Sequence, residues 1–151
     1  MEGNGWTQDD RLGDMLSSGT GFTVREAHKG ERLYSFGSST YKPKDKFSSP
    51  YWLDEESFLE VKRRFYRDGV WDRQGVKDYL ALPCKNRADA LDMVEVAEEH
   101  TLVKSTIVGA TEEVTYIAAD GSKTVISHSM NGGGTQVFPD RRKLGEVRRL
   151  W

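Results

Sequence analysis

Asp120-Gly121, set between the alternating runs 114–118 and 123–127, constrains the C-terminal half of this chain more than any other feature. Asp-Gly between runs of period two is the strongest short-range signal of a β-hairpin. The same period recurs on both sides of it. Leu91, Met93, Val94 and Val96 predict one strand, and Leu102, Val103, Ile107 and Val108 a second. Residues 134–138 and 144–151 predict two more, and a strand over 31–36 is closed by Gly37. A short strand, Tyr51-Trp52-Leu53, follows Pro50. Between these runs the period is 3.6. Asp54 reads as a helix N-cap, with Glu55 and Glu56 in the first turn, Arg63, Arg64 and Arg67 near the end, and Gly69 as the stop. Its expected buried stripe is Phe58, Leu59, Val61, Phe65 and Tyr66. A shorter helix is predicted over 72–82, stopped by Pro83. Helices followed by a mostly antiparallel sheet make the class α+β.

With 151 residues the chain has the size of one domain, at roughly 100–200 residues per domain. Residues 1–27 open Gly-rich and polar and read as a lead-in, with a short helix around 11–16; residues 28–151 form the domain. A formal net charge of −2 gives no general pull toward nucleic acid. The basic cluster Arg141, Arg142, Lys143, Arg148 and Arg149 lacks interleaved aromatics apart from Trp151. The single Cys84 excludes an internal disulfide framework, and His28, His100 and His128 stand in no ligand spacing, so no metal site is expected. No apolar run is long enough to span a membrane, and the N-terminus lacks the regions of a signal peptide. A secreted protein of this kind needs a longer polypeptide or a dedicated machine to carry it. The acidic pairs Glu55-Glu56, Glu98-Glu99 and Glu112-Glu113 are adjacent, so on a strand their side chains diverge, which argues against a two-carboxylate hydrolase.

Asn131 to Phe138 read Asn-Gly-Gly-Gly-Thr-Gln-Val-Phe. A glycine costs more backbone entropy on folding than any other residue. Three in a row fit a place where something approaches the backbone or where φ is repeatedly positive. One amide, Gln136, then enters a strand between Thr135 and Val137. A ligand cleft and a loop before an edge strand both fit this pattern.

Gly132 to Val137, followed by Leu144 and Glu146-Val147, resembles the C-terminal signature of the tuberculosis-necrotizing-toxin family. Gly30 to Ser38 resembles that family's first strand, and Ser48-Ser49-Pro50-Tyr51-Trp52-Leu53 the second strand of such toxins. Leu80-Ala81-Leu82-Pro83 is similar to a stretch of toxin domains found at the tips of bacterial polymorphic toxins. The resemblance implies an ADP-ribosyltransferase-like fold, with N-terminal helices and a split sheet that forms an NAD cleft. It implies NAD as a substrate, cleaved to nicotinamide and ADP-ribose, with Gln136 as the catalytic position. It places Arg32, Ser35, Phe36, Ser48, Ser49, Tyr51, Trp52, Gly133, Gly134 and Thr135 along the NAD site. Phe36, Tyr51 and Trp52 then either stack on nicotinamide or belong to the core.

An amide positions a ribose hydroxyl or a water and is no strong base. Gly134 and Phe138, two residues either side of Gln136, cannot activate an acceptor side chain, which favours water as acceptor and hence a glycohydrolase. A transferase that modifies a target protein is the alternative. Ser35 stands where the family carries an arginine that grips the phosphates. Arg32, three residues earlier, lies on the other face of a regular strand and reaches the site only through a bulge. An inactive variant is therefore a further alternative. A toxin requires a cognate immunity protein, expected to plug the cleft around Gln136. The resemblance also implies delivery at the tip of a larger toxin, with action in the target-cell cytoplasm.

Overall fold

The computed structural model describes residues 19–40, 52–83 and 86–150. The expected helix at 11–16, Ser48, Ser49, Tyr51 and Cys84 lie outside the described residues.

Eleven strands and two helices make up the described chain. β1 (Gly19–Ala27), β2 (Arg32–Gly37) and the two-residue β3 (Leu53–Asp54) lead into helix α1 (Glu55–Phe65). A small hairpin, β4 (Tyr66–Arg67) and β5 (Val70–Trp71), joins it to α2 (Arg73–Tyr79). Then come β6 (Ala90–Glu95), β7 (His100–Ile107), β8 (Ala110–Ile117), β9 (Lys123–Met130), β10 (Thr135–Phe138), a 3-10 turn at Arg141–Lys143 and β11 (Arg148–Arg149). Among the described residues the paired strands all run antiparallel, and the class is α+β.

Two sheets carry the body. One runs β1-β7-β10, the other β11-β6-β2-β3. They meet at one seam, where Trp52 and Val137 exchange main-chain hydrogen bonds of 3.0 and 2.7 Å. Alternation along β2 and β6 divides the core in two. Tyr34, Phe36, Leu91 and Met93 point toward the helices and pack with Val61, Val76 and Leu80. Leu33, Val94 and Val96 point the other way and pack with Trp52, Ala27, Leu102, Val137 and Val147, between the two sheets. A strand covered on both faces has no polar side to alternate with, which is why β6 reads as a near-continuous apolar run.

Several expectations are corrected. Residues 19–27, assigned to the lead-in, form β1 and pair with β7 along its length. Helix α1 ends at Phe65, with Tyr66 as its C-cap, and Leu59 is exposed. Phe58, Val61 and Phe65 follow the three- and four-residue spacing of one face, and Leu59 falls about 100° off it. Asp68 and Gly69 both have positive φ, 52° and 79°, and form the turn of the β4–β5 hairpin. That conformation fits a type I′ turn, so this Asp-Gly, read as a helix stop, makes the tight hairpin. At the predicted hairpin only Gly121 has positive φ, and Gly121 N–H donates to the Ala118 carbonyl at 2.9 Å. The connection is a longer turn closed by glycine, and β8 and β9 run past their expected ends to Ala110 and Met130. Helix α2 stops at Tyr79, ahead of Pro83, because Ala81 adopts φ 49° and breaks the helical run. Of the described residues 144–150 only Arg148 and Arg149 pair as a strand, with Met93 and Asp92.

Candidate functional site

The glycine corner is held from several sides. Asn131 donates its backbone N–H and its amide to the Asp78 carboxylate, at 2.9 and 3.0 Å. Gly132 N–H donates to the Asp78 carbonyl, Gly133 N–H to Ile107 and Gly134 N–H to Tyr79. The group that closely approaches the glycines is the protein itself. A Cβ on Gly132 would lie 2.6 Å from the Ile107 carbonyl oxygen, and one on Gly134 would lie 2.9 Å from a Leu80 methyl and 3.1 Å from the Tyr79 ring. The run packs the start of β10 against the end of α2 and the end of β7, with all three glycine N–H groups turned to internal acceptors.

β10 then presents Gln136 opposite Ser105 of β7. Gln136 is 7% exposed and its Nε2 donates to Ser105 Oγ at 3.3 Å. Gly19, the first residue of β1, covers the pair: a Cβ there would lie 2.4 Å from Ser105 Oγ and 3.2 Å from Gln136 Nε2. A glycine at this point lets β1 seal the amide. Thr135, one residue earlier, pairs with Thr106 and is half-buried.

Ser35 belongs to a different face. It alternates with Tyr34 and Phe36, which point to the helices, and so lies on the side of Leu33 and the inter-sheet core. Gln136 shares the helix side, since Ile107, two residues after its partner Ser105, belongs to the helix-side cluster. Across β2, β6 and β11, Ser35 pairs with Asp92 and Asp92 with Arg149. Asp92 is fully buried and accepts from Arg149 Nε at 2.7 Å, while Arg149 Nη1 donates to the Ser39 carbonyl at 3.3 Å. The side chain paired in register with Ser35 is thus the buried Asp92, and its cation, Arg149, lies on β11, two strands from β2. Arg32 turns outward to Glu95 at 3.7 Å, 58% exposed, and β2 pairs with β6 in unbroken register, with no bulge to bring it in. Phe36 and Trp52 are core side chains, 3% exposed each; Phe36 packs edge-on against Trp71 at 5.2 Å and Trp52 closes the seam.

A second charged cluster spans the seam. Arg25 of β1 binds Glu31 and Asp54, and Lys104 of β7 also reaches Asp54, at 3.1 Å. Asp54 caps α1 by accepting from the Ser57 backbone N–H at 2.9 Å. Burial pushes its carboxyl up, but hydrogen bonds from Ser57 and the Lys104 ammonium overcome this and hold it at about 2. The Arg25 guanidinium likewise holds Glu31 below the usual carboxylate range. This cluster, which joins β1, β3 and β7, was not foreseen in the sequence; Asp54 was read only as a cap.

The basic C-terminal run is largely neutralised in place. Arg142 pairs with Asp140, Lys143 with Glu98 and Arg149 with Asp92, and Arg141 is buried. Among the described residues no group of three or more His, Cys, Asp or Glu side chains is arranged to hold a metal ion. No described helix is long and apolar enough to cross a membrane.

No protein-family model matches the sequence, and no curated protein was found similar to it. The fold is similar to that of a solved structure described as "Rhs1-CT in complex with cognate immunity protein RhsI1". That match has a TM-score of 0.52 and 12% sequence identity, and covers 89% of this chain and 80% of that chain.

Proposed function

We propose that this chain is a toxin effector domain of the polymorphic-toxin kind, countered in its producer by an immunity protein, and that it acts by cleaving NAD. The observation that carries the toxin reading is the fold shared with Rhs1-CT over 89% of the chain. The NAD reading is supported by the resemblance of residues 132–137 to the necrotizing-toxin signature and by a split sheet that places Gln136 one residue from the seam at Val137. In this reading Gln136 orients a ribose hydroxyl or the attacking water as the nicotinamide bond breaks. The geometry sets one condition: β1 has to move off Ser105 for substrate to reach the amide. Water is the acceptor, because the strand offers no second acidic or amide side chain two residues from Gln136.

A second reading, a toxin that does not cleave NAD, is favoured by one observation: Ser35 and Gln136 project from opposite faces of the joined sheets. Nicotinamide release by the purified chain separates the two. Release that is lost in Gln136→Ala supports NAD cleavage. Killing of cells without any release, or label moving from NAD to a protein, assigns a different reaction to the same fold.

A further inference from the structure

The β8–β9 hairpin stands out from both cores. Its strands pair without a break from Ala110 with Met130 to Ile117 with Lys123, and among the described residues no third strand joins them. Apolar side chains are exposed on both faces: Ile117 and Val125 at 69% and 58% on one, Tyr116 and Ile126 at 46% and 44% on the other. A two-stranded ribbon is marginal alone in water, and an open edge is a template for another chain unless it is blunted.

Three other outer strands are blunted. β1 breaks register between Thr20 and Thr23 and carries Arg25 and Glu26. β11 is two residues long, both arginine. β8 carries Glu112 and Glu113. β9 carries one such device, Lys123 at its first residue; from there Thr124 to Met130 contains no lysine, arginine, acidic residue or proline, and its register is unbroken.

We propose that the β9 edge is a docking site at which a partner protein adds a strand, and that this partner is the immunity protein; the inference rests on the toxin reading. Charge selects the occupant. The hairpin carries Glu112, Glu113 and Asp120 against Lys123, a net acidic ribbon that favours a basic partner over a second copy of the same charge. The complementary strand has alternating apolar residues and a net positive charge to match the ribbon. Met130 leads directly into the glycine corner, so a strand docked on β9 lies next to that corner and leaves the buried Gln136 amide untouched.

The test begins with a fragment library of the producer's own DNA, selected for protection of cells that express this chain. The protecting protein is then purified and titrated against the full chain, Val125→Lys, Ile126→Lys and, as an edge control, Val24→Lys. All three sites are exposed, and thermal melting checks that each variant is folded. The expected result is at least tenfold weaker binding to both β9 variants, unchanged binding to Val24→Lys, and slowed amide exchange over 124–130 on binding. Unchanged affinity for the β9 variants, or no added protection on β9, overturns this inference while leaving the toxin reading intact. Self-association of the chain through the hairpin, seen by sedimentation, replaces the partner with a second copy and also overturns it. If the chain harms no cell and no protecting fragment exists, the toxin reading fails and this inference fails with it.

Discussion

At the scale of single residues, Gly132 shows what the glycine run does. It combines φ 72° with a Cβ position 2.6 Å from a main-chain oxygen, and main chain cannot give way as a flexible side chain can. Gly132→Ala is expected to destabilise the fold by about 1–3 kcal/mol, read as a lower urea midpoint. Gly133→Ala, at φ 108° but with its nearest heavy atom 3.7 Å away, carries the backbone strain alone and costs less. The Asp92–Arg149 pair makes a sharper case. Asp92 is 0% exposed, so Arg149→Ala leaves a buried charge without its ion-pair partner and is expected to cost about 3–5 kcal/mol. Adding Asp92→Asn to that variant removes the orphaned charge, and the double variant should melt above Arg149→Ala.

At the scale of elements, Asp54 ties a helix start to both sheets. Its carboxyl is held at about 2 against an ordinary 3.8, a depressed value. The sign follows: the charged form is the one the fold stabilises, so the contribution is complete above pH 4 and is lost as pH falls toward 2. The amount at neutral pH is about 2 kcal/mol. Asp54→Asn keeps a good capping side chain but loses the charge. It should lower stability at pH 7 and flatten the acid slope between pH 4 and 2, as measured by urea unfolding across that range. A slope unchanged from the parent would show that other carboxylates, Glu31 first, govern acid unfolding.

The same elements show how far the sequence could be read. β2, β6, α1 and the β8–β9 hairpin were legible because each carries its own period or cap within a few residues. The tight β4–β5 turn was not, because Asp68-Gly69 serves equally as a helix stop and as a hairpin turn, and the choice is made by Trp71 packing on Tyr66 and Phe36. β1 was hidden in a Gly- and polar-rich run, since its strand character comes from pairing with β7 and not from its own residues. For the site, Gln136 and the glycine corner were visible as a pattern, but their burial was not. It depends on Gly19 and Ser105, which are 117 and 31 residues away in sequence. The Asp92–Arg149 pair was likewise invisible, since Arg149 in sequence is one more member of a basic tail.

At the scale of the whole molecule, the hairpin lies outside the buried cores of the body. Residues of β8 and β9 are absent from both buried clusters. Replacing residues 112–128 with a short Gly-Ser turn is therefore expected to leave the thermal midpoint of the body within a few degrees, while removing protection by the proposed immunity protein. A collapse of the fold on that deletion would show that the ribbon is structural. The body itself is two sheets joined at Trp52 and Val137, with Gln136 beside the seam and β1 laid over it. The central claim, that this arrangement cleaves NAD, is tested most directly by free nicotinamide released from NAD by the purified chain, beside Gln136→Ala. Release without any protein acceptor is expected, reduced about 100-fold or more in the variant, with the variant still folded. No release from a folded chain that nevertheless kills cells, or equal release from Gln136→Ala, would contradict it.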